Sequence, residues 1–309
     1  MPPADTPPAD TPSATRCGYV ALLGAPNAGK STLLNRLIGA KISIVSPKVQ
    51  TTRTRVLGIL VKDAAQIIFV DTPGIFEPRR RLDRAMVAAA WVGAADADRV
   101  VLLVDAAHGI DADTRRIIDG LKTTGRRAVL ALNKVDLVRP ESLLALAQTL
   151  DAEGVFDKVF MISGLKGGGV DDLLAALIPE LPIGPWLFPE DQLSDMPERL
   201  LAAEVTREQV FLQLHDELPY ATTVETESWE EFADGSVKIT QAIFVQRPSQ
   251  KAIVLGKGGR QVKRIGERAR LELERMVDRR VHLFLFVKVR EGWVDERERF
   301  DAIGLEWQS

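Results

Sequence analysis

The sequence has few of the residues that stabilise secreted or membrane proteins. It contains one cysteine, Cys17, which excludes an internal disulfide framework, and its three histidines form no zinc-binding pattern with that cysteine. No run of eighteen or more apolar residues is present, so no membrane-spanning helix is expected. The formal net charge is only −3, which by itself indicates no strongly charged partner. These absences favour a protein of the reducing cytoplasm that folds around hydrophobic cores.

The 309 residues are predicted to form two domains. Residues 1–16 repeat the unit PPADT and lack the basic start and apolar core of a signal peptide, so they are predicted to be a disordered tail. Residues 17–181 form the first domain. Residues 182–197 hold four prolines and are interpreted as an ordered or semi-rigid linker. Residues 198–309 form the second domain, with a C-terminal extension.

Short apolar runs alternate with helix-like segments in the first domain. The runs YVALLG, QIIFVD, RVVLLVD, RAVLALN and KVFMIS are predicted strands, and segments such as KSTLLNRLIGA between them are predicted helices. This alternation predicts an α/β fold with a mostly parallel sheet, whose ligands bind at the carboxyl ends of the strands. After the linker, the pattern changes to the order α-β-β-α-α-β, which indicates a small α+β domain.

The segment GAPNAGKS, residues 24–31, fits the pattern G-x-x-x-x-G-K-[ST] between a predicted strand and a predicted helix. In such a P-loop, backbone N–H groups and the helix N-terminus bind phosphate oxygens. Lys30 is expected to reach the β and γ phosphates, and the Ser31 hydroxyl to bind Mg²⁺. The alternative is a tight turn that matches by chance. The nucleotide contacts expected here are Gly24, Ala25, Pro26, Asn27, Ala28, Gly29, Lys30, Ser31 and Thr32.

A second motif, DTPGIF at residues 71–76, follows the strand QIIFV. Asp71 is expected to hold a water bound to Mg²⁺, and the N–H of Gly74 to sense the γ-phosphate. Taken alone, the motif also fits an ordinary turn. Ile75 cannot hold an attacking water by hydrogen bonds, so the group that positions this water is not evident. The nucleotide contacts predicted in this segment are Asp71, Thr72, Pro73, Gly74 and Ile75.

The motif NKVD, residues 133–136, ends the strand RAVLAL and predicts selectivity for guanine. The carboxylate of Asp136 can accept hydrogen bonds from N1–H and the N2 amine of guanine, whereas adenine would leave it unpaired. Asn133 can bond the base edge and bridge to the P-loop. The aliphatic stem of Lys134 can cover the ring face. The predicted contacts are Asn133, Lys134, Val135 and Asp136.

The second domain contains a basic glycine loop, GKGG at residues 256–259. Residues 251–270 hold seven Lys or Arg and one acid, about +6 in a chain of net charge −3. Such a loop between a short helix and a long helix presents backbone to nucleic-acid phosphates, as the KH module does. The alternative is a solvated basic helix face. The predicted RNA contacts are Gly256, Lys257, Gly258, Gly259, Arg260, Lys263 and Arg264.

With these motifs in this order, the chain resembles the translation-factor-related GTPases. SGLKG, residues 163–167, stands where their fifth motif lies, and Gly164 keeps the backbone N–H that would bind the guanine O6. The resemblance therefore implies that Ser163 and Gly164 contact the nucleotide. KVQTTRTR, residues 48–55, resembles the first switch, and the whole segment KISIVSPKVQTTRTR, residues 41–55, is taken as this switch. Thr51 and Thr52 are both candidates to close on Mg²⁺, and the resemblance favours Thr52, which gives the metal set Ser31, Thr52 and Asp71.

A GTPase domain followed by this KH arrangement resembles the Era family of bacterial ribosome-assembly GTPases over residues 18–307. Segments such as PWLFPEDQLSD and VHLFLFVKVREGW are similar to Era segments. The resemblance implies a slow GTPase that uses GTP or GDP and Mg²⁺, binds 16S ribosomal RNA near its 3′ end and assists maturation of the 30S subunit. It also implies peripheral contact with the inner face of the cell membrane in some members. A monomer is expected.

Catalysis is expected to depend on Lys30, Asn27, Thr52 and Gly74. In GTPases similar to this one, an asparagine at the position of Asn27 goes with activation by K⁺, which would offset transition-state charge as an arginine finger does. The alternative is that Asn27 only braces the loop.

Two other functions stay open from the residues alone. One is an RNA-binding scaffold with structural GTP and no significant turnover. The other is a small-molecule P-loop kinase with EPRRRLDR as its lid, although such a kinase has no use for NKVD or for the second domain.

Overall fold

The structure, a computed structural model, describes residues 14–292, 297, 305 and 306. Most of the predicted tail and most of the C-terminal extension therefore lie outside the described residues. None of the described helices is long and apolar enough to cross a bilayer. Strand β1 begins at Arg16, one residue before the predicted start of the first domain.

The first domain is a six-stranded sheet with helices on both faces. Its elements are β1 (Arg16–Gly24), α1 (Lys30–Ile38), β2 (Val56–Lys62), β3 (Ala65–Asp71), α2 (Arg81–Asp96), β4 (Arg99–Asp105), α3 (Ala112–Thr124), β5 (Ala128–Asn133), α4 (Pro140–Asp151), β6 (Phe156–Met161) and α5 (Val170–Leu177). The strand order is β2-β3-β1-β4-β5-β6, and every neighbouring pair is parallel except β2 with β3. The predicted α/β fold with a mostly parallel sheet is confirmed.

Strand β2 is not among the predicted strands. Its sequence, VLGILVK, follows the basic first switch, and the turn to β3 passes through Asp63 at a φ of 53°. The strand lies antiparallel to β3, with Val56 opposite Asp71. This pairing brings the end of the first switch to the strand end that carries Asp71.

The sheet is buried on both faces, which is why its parallel strands are nearly continuous apolar runs. Leu22 and Phe69 belong to the core under α1 and α5, and Leu102 and Leu130 to the core under α2, α3 and α4. The polar motif residues are left at the carboxyl ends of β1, β3 and β5.

The second domain is a three-stranded sheet with helices packed on one face. Its elements are α6 (Glu198–Gln213), β7 (Thr222–Glu231), β8 (Val237–Val245), α7 (Pro248–Leu255), α8 (Arg260–Val277) and β9 (Val281–Val289). β8 lies between β7, which is antiparallel to it, and β9, which is parallel. The predicted order α-β-β-α-α-β is confirmed. Helix α6 ends at Gln213, because Leu214 has extended backbone angles.

The segment between the domains follows the edge of the first sheet. Gln66 Oε1 in β3 accepts hydrogen bonds from the backbone N–H groups of Leu187 (2.8 Å) and Phe188 (3.0 Å). The N–H of Ile59 in β2 donates to the carbonyl of Leu193 at 2.9 Å. These hydrogen bonds agree with the predicted ordered linker. The exact boundaries of the two domains stay predictions.

Candidate functional site

The P-loop lies between β1 and α1 and is shaped to receive an anion. Gly29 has a φ of 98°, and a Cβ there would lie 2.3 Å from Asn133 Nδ2, so the position requires glycine. Lys30 is buried, and its Nζ donates to the carbonyl oxygens of Gly24 at 2.9 Å and Ala25 at 3.1 Å. Burial lowers the pKa of Lys30 to about 8. A phosphate bound at this helix N-terminus would stabilise the charged form of the buried Lys30.

Three hydroxyl groups surround the carboxylate at the end of β3. Ser31 Oγ and Ser43 Oγ donate to Asp71 Oδ2 at 2.7 and 2.9 Å, and Thr52 Oγ1 lies 2.9 Å from Ser31 Oγ. Burial raises the pKa of Asp71, although the hydrogen bond from Ser31 and the charge of Lys30 oppose this.

The donor set around Asp71 fits a hard cation such as Mg²⁺, which prefers oxygen ligands. Asp71 Oδ1 is buried and has no hydrogen-bond partner within the described chain, so it is free to accept from a metal-bound water. Thr51, in contrast, contacts Ser46 Oγ at 2.6 Å and the carbonyl of Lys48 at 2.7 Å. The geometry therefore favours Thr52 over Thr51 as the metal ligand of the first switch.

The end of β5 is tied to the P-loop by Asn133. Its Nδ2 donates to the carbonyl of Ala28 at 2.8 Å, and its Oδ1 accepts from the N–H of Gly164 at 2.8 Å. A hydrogen bond from Ser163 and the nearby Lys166 hold the pKa of Asp136 below its usual value, so this side chain is an ionised acceptor. The predicted base-recognition residues are thus gathered at one edge of the sheet.

A cavity of about 510 Å³ opens between the P-loop and the first switch. The first switch lines one side of this cavity from residue 44 onward, and His108 in the loop after β4 also lines it. Sequence reasoning missed His108 because only the parallel pairing of β4 with β5 brings the two strand ends together.

Two predicted nucleotide contacts point their side chains elsewhere. The side chain of Ile75 is completely buried in the core beside Leu23, and only its N–H returns to the P-loop, 3.2 Å from the carbonyl of Gly24. Thr72 Oγ1 donates to the carbonyl of Leu22 at 2.8 Å and is also fully buried. Any contact of Ile75 or Thr72 with the nucleotide would therefore be made by the backbone, and both contacts stay predictions.

Asn27 connects the P-loop to the first switch. It has a φ of 63°, and its Nδ2 donates to the carbonyl of Pro47 at 2.9 Å. The bracing alternative is thus present in the structure, and the same contact brings a first-switch carbonyl to the side chain that was predicted to help hold K⁺.

The first switch is also fastened to the second domain. Arg207 of α6 is buried, and its Nη2 donates to the carbonyl of Thr51 at 2.6 Å. Arg53 donates to the carbonyl of Thr222 at 2.8 Å. Glu208 accepts from the N–H of Val45 at 2.8 Å. The guanidinium groups of Arg53 and Arg207 also lie over the ring of Phe211, 5.6 and 5.2 Å from its centroid, where cation–π attraction acts.

The GKGG loop stands at the N-terminus of α8. Gly256, Gly258 and Gly259 have φ values of 68°, 62° and 76°. A Cβ on Gly258 or Gly259 would meet no atom within 4 Å, whereas one on Gly256 would lie 2.7 Å from the side chain of Gln261. The tip of the loop is thus open backbone, which a phosphate can approach.

The basic residues after this loop differ in their partners and exposure. Lys263 is 77% exposed, and Arg260 Nε donates back to the carbonyl of Lys257 at 3.2 Å. Arg264 instead turns toward α6, where its Nε donates to Gln213 Oε1 at 3.0 Å. Arg264 thus has a partner on α6, whereas Lys263 extends into solvent.

Family models match both halves of the chain. Residues 19–134 match a model described as a 50S ribosome-binding GTPase, and residues 217–294 match a KH domain model. The GTPase Era of Sinorhizobium medicae is 59% identical over 293 residues, which cover 95% of this chain and 94% of the relative. The GTPase Era of Brucella suis is 56% identical over the same length, with the same coverage.

Solved structures agree with these relatives over the whole two-domain unit. A crystal structure of Era in complex with MgGDPNP and nucleotides 1506–1542 of 16S ribosomal RNA superposes with a TM-score of 0.89 at 38% identity, covering 94% of this chain and 99% of that one. A Tyr-to-Ala variant of Aquifex aeolicus Era bound to GDP and AlF₄⁻ matches with the same score, identity and coverage.

Proposed function

Because the chain belongs to the Era family of GTPases, we propose that it is a GTP-dependent switch that binds 16S ribosomal RNA near its 3′ end and assists 30S subunit maturation. GTP hydrolysis itself follows from family membership. The observation that carries the RNA assignment is the Era complex with nucleotides 1506–1542 of 16S ribosomal RNA, which matches 94% of this chain. Membership also sets aside the kinase and the scaffold without turnover.

For hydrolysis, we assign phosphate binding to Lys30 and the N–H groups of the P-loop. Ser31 and Thr52 are the proposed ligands of Mg²⁺, and Asp71 the acceptor for one of its waters. The metal, when bound, offsets negative charge on the phosphates. The unpaired, buried Oδ1 of Asp71 supports this assignment. Gly74 lies against the P-loop, where a Cβ would be 2.9 Å from Pro26 N, so its N–H is the proposed sensor of the γ-phosphate.

The attacking water needs a group other than Ile75, whose side chain is buried in the core. We assign charge compensation to K⁺, held by Asn27 and first-switch carbonyls. The hydrogen bond from Asn27 Nδ2 to the Pro47 carbonyl supports the proposal, because it places a first-switch carbonyl beside the side chain whose Oδ1 would bind the cation.

RNA binding is assigned to the open tip of the GKGG loop, with Lys257, Arg260 and Lys263 supplying positive charge. Arg264 is kept as an RNA contact through the groove between α6 and α8, which it lines with Arg268 and Arg275. The concentration of arginine in that groove supports phosphate binding.

The 30S subunit is the proposed place of action, in the cytoplasm and as a monomer. Peripheral membrane contact stays an expectation from the family resemblance. Coupling between nucleotide and RNA is proposed to run through the first switch, because that segment contacts both the metal-binding hydroxyls and α6.

The proposed function is tested by RNA binding in defined nucleotide states. Fluorescence anisotropy would compare a 3′-terminal 16S fragment with a scrambled fragment of equal length, in GDPNP and in GDP, at fixed salt. We expect tighter binding of the natural fragment and a difference between nucleotides. Equal affinity for both RNAs in both states would contradict the function. Single-turnover hydrolysis, measured alongside, reports the enzyme independently of RNA.

A further inference from the structure

A carboxylate outside every motif anchors the lysine of NKVD. Asp105 is the last residue of β4 and pairs in register with Asn133, the last residue of β5. Its Oδ2 accepts from Lys134 Nζ at 2.6 Å and contacts His108 Nδ1 at 2.9 Å. Its Oδ1 accepts from the N–H of Ala107 at 2.9 Å. The carboxylate is therefore fixed on one side by its own loop and faces Lys134 on the other.

The ion pair is better sheltered than a surface pair. The side chain of Asp105 is 12% exposed and that of Lys134 is 30% exposed. Burial alone would raise the pKa of Asp105, but the hydrogen bonds from Lys134, Ala107 and His108 hold it below its usual value. The carboxylate thus stays ionised near neutral pH and holds the ammonium group continuously.

Lys134 needs such an anchor. It has a φ of 64°, unusual for a residue with a side chain, and four rotatable bonds separate its ammonium group from the backbone. Lys134 and His108 both line the nucleotide cavity, at the end where Asn133 braces the P-loop. With the ammonium group fixed at Asp105, the aliphatic stem is held along the cavity wall instead of sampling solvent.

We propose that Asp105 is a positioning residue for guanine-nucleotide binding, which holds the Lys134 stem in place to cover the base and does not touch the nucleotide itself. The inference rests on the proposed role of Lys134 at the guanine ring. Since the base and not the γ-phosphate is affected, GTP and GDP should lose affinity equally when the ion pair is removed.

The test is a double-mutant cycle measured by nucleotide affinity. Asp105→Asn keeps the shape of the side chain but removes its charge, and we expect about three- to tenfold weaker binding of both GTP and GDP. Lys134→Met keeps an apolar stem without the ammonium group and should also weaken both. In the Lys134→Met background, Asp105→Asn should have no further effect, because it acts through the lysine.

A matched control and a rescue separate positioning from a merely structural role. Glu153 is also a carboxylate with two cationic partners, Arg115 and Lys122, and is 14% exposed, so Glu153→Gln removes a comparable ion pair far from the cavity. It should leave affinity unchanged. Asp105→Glu keeps the charge and should retain more affinity than Asp105→Asn; this variant also serves if Asp105→Asn does not fold.

Three outcomes would overturn the inference. Wild-type affinity in Asp105→Asn, beside weakened binding in Lys134→Met, rejects Asp105 alone and leaves the proposed function intact. A full additional loss in the double variant rejects action through Lys134. Wild-type affinity in Lys134→Met shows that the stem needs no anchored ammonium group, which rejects this inference and leaves the assignment of the stem to the base intact.

Discussion

The buried guanidinium of Arg207 donates a 2.6 Å hydrogen bond to the backbone carbonyl of Thr51, across the boundary between the two domains. The next residue, Thr52, places its hydroxyl 2.9 Å from Ser31 Oγ, inside the proposed metal site. Two adjacent residues of the first switch therefore connect the proposed metal site to α6. At the far end of α6, Gln213 accepts hydrogen bonds from Gln261 and Arg264 of α8, close to the GKGG loop.

Replacing Arg207 should uncouple RNA binding from the nucleotide. In Arg207→Met the apolar stem can still pack on Phe211, but the bond to the first switch is lost. We expect the ratio of RNA affinities in GDPNP and GDP to approach one. Arg199→Met is the matched control, because Arg199 lies on the same helix and its side chain donates, among the described residues, to carbonyls of the second domain. A ratio unchanged in Arg207→Met would reject this route of coupling.

Asp136→Asn should change the base that is bound. The amide can donate to the C2 carbonyl of xanthine, whereas it can no longer accept both hydrogen bonds from guanine. We expect GTP affinity to fall by about 10²-fold or more and the affinity for xanthosine triphosphate to rise. The reason is that a hydrogen-bonding mismatch between residue 136 and the bound base discriminates strongly. Competition binding checks this, and retention of the wild-type preference for GTP would rule out the assignment of Asp136.

Gly258→Asp should abolish most RNA binding without affecting GTP. A Cβ at Gly258 would meet no atom of the described residues within 4 Å, so an aspartate there would project from the loop and set a negative charge against a phosphate. We expect a loss of about tenfold or more in RNA affinity. Gly235→Asp is the matched control, since Gly235 also has a positive φ and open space, in the turn between β7 and β8. Equal losses in the two variants would contradict a specific role of the loop.

Nucleotide binding should take up protons above about pH 8. Burial lowers the pKa of Lys30 in the free protein to about 8. Lys30 is therefore largely charged at pH 7 and loses its charge as the pH rises through about 8. Phosphates favour the charged form and raise this pKa, so binding must return a proton to Lys30 at pH 8.5 but hardly at pH 7. Calorimetry in buffers of different ionisation enthalpy measures the uptake. If nucleotide binding took up no protons at pH 8.5, the proposed contact between Lys30 and the phosphates would be contradicted.

GTP turnover should be faster in KCl than in NaCl at equal ionic strength. The proposed cation would lie between Asn27 and the first switch. It would offset the negative charge of the transition state, which the buried side chain of Ile75 cannot do. Asn27→Ala should remove the difference between the two salts, whereas Ile75→Ala should change the rate far less than loss of a water-positioning residue would. Single-turnover hydrolysis is the measurement. Equal rates in the two salts would remove K⁺ from the mechanism.

Local pattern determined much of this protein. The alternation of buried strands and helices predicted the α/β fold, because a strand covered on both faces must be apolar along its length. GAPNAGKS, DTPG and NKVD each followed a predicted strand, and parallel strands bring their carboxyl ends to one edge, so the grouping of Lys30, Asp71 and Asn133 could be expected. The basic loop between two helices likewise marked the KH arrangement.

Contacts between distant segments were decided only by the tertiary structure. Strand β2 was missed because its pairing with β3 depends on a register that no motif encodes. Ile75 follows directly on the DTPG motif, yet packing against the α2 and α3 side of the sheet buries its side chain. Asp105, His108 and Arg207 belong to no motif. They acquire their contacts because folding brings the ends of β4 and β5 together and lays α6 on the first switch, and side-chain chemistry alone does not specify these neighbours.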